Sequence, residues 1–326
     1  MPVTNRRRPW SQEQIVLALA VLLFAVAGAT LPGFLAPNNL ISIVRSVSVL
    51  GILAVAMAIV VIGRGVDLSA VAIMAMSAAW YLQMLNNGVS DPVALATIIG
   101  ATLAIGLANG ILIAYADVPA IFATLASASF VFGAVRSQLI TQDAVPVPPG
   151  HWLQTLGGAR LLGIPAEVFI FAGISFFAYL FLRFTKWGRY VYLMGDNFQA
   201  ARNMGIPVRH MILLRYVLSA LVALGAGLLT AASLLSINTR IVNSTLLYDI
   251  ILVVVIGGIG LSGGKGGMRN VIVGALLIGI MLNAMTIIDI SNIYQNLIKS
   301  TILLIAIIVD SLLNPRDEQT AQQGDI

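Results

Sequence analysis

Cysteine is absent from the 326 residues, so neither a disulfide nor a thiolate metal site is available and the redox compartment is not readable. Histidine is nearly absent too: His151 and His210 lie far apart, and no metal-ligating set is expected. Charge is scarce at 10%, and 59% of residues are apolar; soluble domains carry about 25% and about 45–50%. A water-soluble globule is excluded. The formal net charge of +5 is too thinly spread to suggest nucleic acid, and the basic residues read first as topology signals. The chain also lacks HExxH, GxSxG and any pair of carboxylates inside an apolar run, so no catalytic residue is expected.

What the chain has instead is long apolar runs. Each helical crossing needs about 20 largely apolar residues, so the composition supplies about nine or ten crossings and leaves no second domain. Breaks at polar residues, Pro and Gly delimit runs at 15–31, 41–62, 66–86, 92–115 and 118–140. After a polar Pro- and Gly-rich stretch at 142–163, further runs follow at 164–184, 212–237, 245–261, 270–288 and 293–313. The expected fold class is therefore all-α, a polytopic membrane bundle of about ten spans. Cytoplasmic loops retain positive charge, and an inside N-terminus puts 13 of the 18 Lys and Arg residues on the inner side, including Arg6, Arg7, Arg8 and Arg316. Both ends then face the cytoplasm: a tail at 1–14, a transmembrane domain at 15–313 with a cytoplasmic loop at 186–211, and a tail at 314–326. The first run follows three arginines and contains Ala25 and Ala27 in signal-peptide fashion, but its apolar length favours an uncleaved span.

Three motifs interrupt the apolar pattern. The stretch 186–210 reads KWGRYVYLMGDNFQAARNMGIPVRH; Asp196 with Gln199 resembles a capping box, and Gly205 with Pro207 stops a short helix. So short a helix is marginal in water and needs support, from a partner protein, from its own bundle or from the lipid interface. The stretch 257–267, GGIGLSGGKGG, satisfies GxGxxG by spacing but has neither the strand before it nor the acidic residue after it. It also fails the Walker pattern at Ile259 and Gly266. It reads as a tight reversal where backbones approach closely. In 61–79, Gly63 and Gly65 break a helix and Asp67 to Ser69 restart it, either as plain capping or as a broken helix lining a cavity or gate.

Ionisable groups at membrane depth face the bundle interior or a water-filled path. Asp249 and Lys299 match in depth and either pair with each other or line a path, with Arg45 a rival partner for Asp249. Asn283, Gln295 and Asn296 are polar neighbours in the same reading.

Together GRGVDLS with its alanine-rich continuation, GRYVYLMGDNFQAARNMGIPV and VVIGGIGLSGGKGG resemble, in order and spacing, the permease subunits of bacterial ABC importers for monosaccharides. The likeness runs over roughly 34–313. It implies that Arg189, Gly195, Asp196, Asn197, Ala200, Ala201 and Gly205 form a coupling loop for a separate cytoplasmic ATPase. It also implies a second permease chain, a periplasmic sugar-binding protein and residence in the bacterial inner membrane. ATP and Mg then sit on the partner, and this chain carries no cofactor. An uncharged sugar needs hydroxyl and amide partners, and the candidate path comprises Asp67, Ser69, Asn109, Thr124, Ser127, Asp249, Asn283 and Lys299. The chain departs from the family pattern at Ala70, Val71 and Ala72, and at Leu247 and Tyr248 before Asp249. The competing readings are an ion-coupled secondary transporter using Asp67 or Asp249, and a passive channel.

Overall fold

The computed structural model describes residues 11–140 and 142–313; the tails at 1–10 and 314–326, with Arg6, Arg7, Arg8 and Arg316, lie outside the described residues. The first five helices are α1 (Gln12–Thr30), α2 (Pro37–Ile62), α3 (Ala70–Asn86), α4 (Asp91–Ala114) and α5 (Ala120–Gln138). The segment after them carries β1 (Ala144–Pro146), α6 (Trp152–Gly158), β2 (Arg160–Leu161) and β3 (Ile164–Pro165). Then come α7 (Ala166–Phe184), α8 (Lys186–Asp196), α9 (Phe198–Asn203), α10 (Val208–Leu234), β4 (Ser236–Asn238), α11 (Leu246–Gly257), α12 (Met268–Ile287) and α13 (Asn292–Leu313). The strands form only two short antiparallel pairs, β1 with β4 and β2 with β3, and the fold is otherwise helical.

Among the described residues eight helices, α1, α2, α4, α5, α7, α10, α12 and α13, are long and apolar enough to cross a membrane. The other two expected spans are shorter: α3 has 17 residues and α11 has 12. Their truncation has a physical cause. Gly258 adopts φ +101° and ends α11, so the residues expected to extend it belong to the glycine loop. At α3 the run of apolar residues begins while the backbone is still turning, with Arg64 at φ +64°. Two helices also occur where the sequence suggested only loops. One is α6. The other is α8, capped by the Thr185 side chain, which accepts from the Gly188 N–H at 3.0 Å.

Apolar on all sides, α2 forms the centre of the bundle and is buried almost continuously from Val47 to Ile62. It packs against α7, α10, α11 and α12. By contrast α1 and α13 turn Leu22, Leu304 and Leu312 outward, as helices facing hydrocarbon do. Close approach of α4 to α10 rests on Gly106 and Gly110, a G-x-x-x-G spacing. A methyl group at Gly106 would lie 2.9 Å from the Val217 Cα, and one at Gly110 2.8 Å from the Leu213 Cα. The bundle thus has two distinct faces. One gathers the chain break at 63–69, α8, α9 and the glycine loop; the other carries the strand pairs and α6.

Candidate functional site

The helix break places its polar residues inside the bundle. Asp67, Ser69 and Thr124 are fully buried, and Asn109 is 1% exposed. The Asp67 carboxylate accepts from the Ser69 N–H at 2.9 Å and the Ser69 hydroxyl at 2.5 Å, while its other oxygen accepts from the Ser219 hydroxyl at 2.6 Å. The network continues outward: Asn109 Nδ2 donates to Ser69 Oγ at 2.9 Å, and Ser127 Oγ donates to Asn109 Oδ1 at 2.5 Å. Thr124 Oγ1 accepts from the Leu68 N–H at 3.1 Å. So α4, α5 and α10 are hydrogen-bonded to the restart of α3, and Asp67, Ser69, Asn109, Thr124 and Ser127 form one cluster. Ser219 completes it; as a serine inside an apolar run, it carries the same signal that selected Ser127.

Below this network three loops meet backbone to backbone. Gly264 N donates to Ile62 O at 2.7 Å. A methyl group at Gly195 would lie 1.9 Å from that same oxygen and 2.5 Å from Gly264 N. One at Gly264, whose φ is +73°, would lie 2.8 Å from the Asp196 backbone, and one at Gly263 would lie 3.0 Å from Arg64. The three sequence motifs therefore share a single junction at the end of α2. Arg215 seals it. Counted by charge as a residue of the inner end, its side chain is in fact buried (3% exposed) and donates to the carbonyls of Gly63 and, at 3.3 Å, of Val60. A guanidinium there satisfies orphan carbonyls and lies favourably at the negative end of the α2 dipole. Gly63 is required by this approach, since a methyl group would fall 1.8 Å from Arg215 Nη1.

The coupling-loop residues lie beside the junction. Helix α9 is capped by Asn197, whose Oδ1 accepts from the Ala200 N–H at 2.8 Å. This corrects the expected cap, because Asp196 is the last residue of α8 rather than the start of α9. Ala201 is buried against the bundle, Ala200 is half-buried, and Gly205 takes φ +78° with open space around it. Arg189 is exposed on α8. Tyr192 donates to Gly266 O at 2.8 Å, which ties α8 to the glycine loop, and burial pushes its phenol up from the usual tyrosine range.

The remaining expected path residues separate. Lys299 Nζ lies 2.8 Å from Asp249 Oδ1 and also donates to Thr245 Oγ1 at 2.9 Å, so these two form a buried ion pair between α11 and α13. Asn296 accepts from Thr245 at 3.2 Å, whereas Gln295 donates to Ile290 O. Asn283 stands apart in a reciprocal amide pair with Asn39 at 2.9 and 3.0 Å. Arg45 is no rival for Asp249. Its Nε lies 3.3 Å from Oε1 of the fully buried Glu167, its Nη2 donates to Gly157 O at 2.9 Å, and Ser233 donates to Glu167 at 2.6 Å. Glu167 was missed, although a carboxylate at the start of an apolar run is the signal that selected Asp249. Among the described residues no group of three or more His, Asp or Glu side chains is placed to hold a metal.

A polytopic helical bundle, broken near one face around a buried polar network and tied there to a loop junction, fits a membrane permease. The family model described as "Branched-chain amino acid transport system / permease component" matches residues 39–307, and the chain belongs to that family. It is 32% identical to the ribose import permease protein RbsC of Escherichia coli (strain K12) over 317 residues, 95% of this chain and 98% of the relative. It is 33% identical to the L-arabinose ABC transporter permease protein AraH of Azospirillum brasilense over 298 residues, 90% and 86% of the two chains. To the galactofuranose transporter permease protein YtfT of Escherichia coli (strain K12) it is 32% identical over 318 residues, 95% and 92%. No solved structure matches the chain.

Proposed function

We propose that this chain is the membrane permease subunit of an ATP-driven importer of a monosaccharide or related small polyol. One observation carries the reading: relatives named for ribose, L-arabinose and galactofuranose each align with at least 90% of the chain. The polar network suits such a cargo, because its hydroxyls and amide exchange hydrogen bonds with an uncharged solute at no cost in unpaired charge.

In this reading both termini face the cytoplasm of a bacterial inner membrane, as the distribution of basic residues favours. ATP and Mg are bound by a separate ATPase that grips α9 and the end of α8. A second permease chain completes the conduit, and a periplasmic binding protein supplies the solute and most of the selectivity. Closure of the ATPases displaces α8, the junction at Gly195, Ile62 and Gly264 passes the displacement to α2, and the network around Asp67 opens to alternate sides. The ion-coupled alternative is not favoured. Asp249 is neutralised by Lys299, and the Asp67 carboxylate accepts three hydrogen bonds, so neither is an open cation site.

Two measurements test the reading. Ala200→Arg should insert normally but fail to retain the ATPase partner in a pull-down; unchanged association removes the coupling assignment. Uptake of labelled ribose, L-arabinose and leucine by cells carrying the full transporter should favour a sugar, stop when the ATPase gene is deleted and resist a proton uncoupler. Preferential leucine uptake would overturn the sugar assignment, and ATPase-independent uptake would overturn the importer.

A further inference from the structure

Several arginines in this bundle are held by carboxylate or carbonyl partners. Arg45 pairs with Glu167, Arg136 and Arg240 share Asp143, and Arg215 holds carbonyls. Three further arginines on the junction face lie around one cleft. Arg183, Arg189 and Arg269 make no ion pair or hydrogen bond with any described residue. All three line one cleft of about 390 Å³ between the end of α7, helix α8 and the start of α12. Against these three arginines the lining of the cleft holds a single carboxylate residue, Glu13. The first turn of α12, residues 268–270, forms one wall, and Gly267 at its cap offers no side chain to occupy the N–H groups. The positive end of a 20-residue helix thus adds to the positive charge of the cleft.

Exposed apolar surface lies next to this charge. Tyr179, Leu182 and Arg183 put one face of α7 into the cleft. Phe176, 56% exposed, continues that face one turn along the helix, and Phe184, 65% exposed, extends the apolar surface beyond Arg183. The Arg183 guanidinium rests over the Tyr179 and Phe184 rings at 5.9 and 6.0 Å. Trp187, the second residue of α8, packs edge-to-face with Tyr190. Aromatic rings and snorkelling arginines at the end of a spanning helix mark the level of the lipid headgroups.

We infer that the cleft lined by Arg183, Arg189 and Arg269 binds a phosphate group, and that its source is the headgroup of an anionic phospholipid whose acyl chains lie along the exposed face of α7. Planar guanidinium forks match phosphate oxygens, and Glu13 supplies an acceptor for a headgroup hydroxyl. The inference goes beyond the transport reading and does not depend on it. It assigns to the permease a lipid that braces α7, α8 and the α12 start, next to the junction.

The test uses the full-length permease in detergent, followed by native mass spectrometry with added phosphatidylglycerol or phosphatidylcholine. The unaltered chain should retain phosphatidylglycerol in preference to phosphatidylcholine. Arg183→Gln with Arg269→Gln should weaken phosphatidylglycerol binding by about thirtyfold, two basic groups' worth of surface attraction, and leave phosphatidylcholine unchanged. Lysine at both positions should keep most of the preference, which separates charge from misfolding, and Arg160→Gln with Arg240→Gln should have no effect. Millimolar inorganic phosphate that fails to displace the lipid supports the headgroup as the source, whereas full displacement overturns the lipid in favour of free phosphate. Equal retention of both lipids, or an unaltered preference in the glutamine variant, overturns the site. So does loss of ATPase association with lipid binding intact, which would give the cleft to a protein partner.

Discussion

Replacing Asp249 by Asn leaves the Lys299 ammonium inside the bundle with neutral acceptors only, Thr245 among them. Both charged side chains are nearly enclosed, 7% and 9% exposed, and lie 2.8 Å apart. At an effective dielectric of about 20, that separation corresponds to a gross attraction of about 6 kcal/mol. Desolvation of two ions offsets most of this, so the pair contributes little net stability relative to apolar side chains of similar volume. Loss of one partner is different, because the desolvated charge remains, and the expected destabilisation is about 3–5 kcal/mol. Asp249→Asn and Lys299→Met should therefore each lower the stability of the purified protein sharply in a thermal or SDS unfolding series. The double variant should recover to within about 1–2 kcal/mol of the unaltered chain. Uptake follows as a second readout: if the pair only holds α11 to α13, the double variant transports, and if the charges serve the solute, it does not. Additive single effects, with no recovery in the double variant, would refute the pairing argument.

Other perturbations address the junction and the network. Gly195→Ala forces a methyl group against Ile62 O and Gly264 N; overpacking of about 1–3 kcal/mol and at least a tenfold loss of uptake are expected, with ATPase association retained. Gly205→Ala, in open space, should cost only about 1 kcal/mol of αL strain, measured by the same unfolding series. Arg215→Met strands the buried carbonyls at the end of α2, and a loss of about 2–4 kcal/mol is expected in thermal unfolding with membrane insertion unchanged. Ser127→Ala removes the donor to Asn109 Oδ1, and a stability change near 1 kcal/mol with altered uptake kinetics separates a path role from a merely structural one.

Chemical rarity made much of the site legible. A polar residue inside an apolar run is conspicuous in any order, and together with the hydroxyl and amide partners that a sugar would need this singles out Asp67, Ser69, Asn109, Thr124 and Ser127, though not their separation from Asp249, Asn283 and Lys299. Depth matching likewise found the Asp249 and Lys299 pair. Asn283 went astray because its partner, Asn39, is 244 positions away and no periodicity links them. Arg215 was counted by charge alone, while its role comes from burial against the end of α2. The caps slipped by one residue because Asp and Asn are equivalent N-caps, and only the backbone decides between Asp196 and Asn197. The shorter α11 reflects the same limit: an apolar run does not reveal where a glycine turns left-handed.

The junction explains why three motifs with different appearances occur in one chain. At the junction's glycines 63, 195, 263 and 264 any side chain would displace a neighbouring backbone or the Arg215 guanidinium. Main chain packed directly on main chain leaves no rotamers to absorb a shift, so in the proposed mechanism a movement of α8 reaches α2 without slack. The other end of α2 is held through Arg45 to Glu167 on α7, which in turn accepts from Ser233 on α10. Between these two attachments lies the restart of α3, bonded to α4, α5 and α10 by short hydroxyl and amide contacts that can exchange one partner for another. In the proposed mechanism, a stiff element fixed at both ends beside a polar network with interchangeable bonds lets a push at one face alter the hydrogen bonds around Asp67. It requires no charge to move across the membrane.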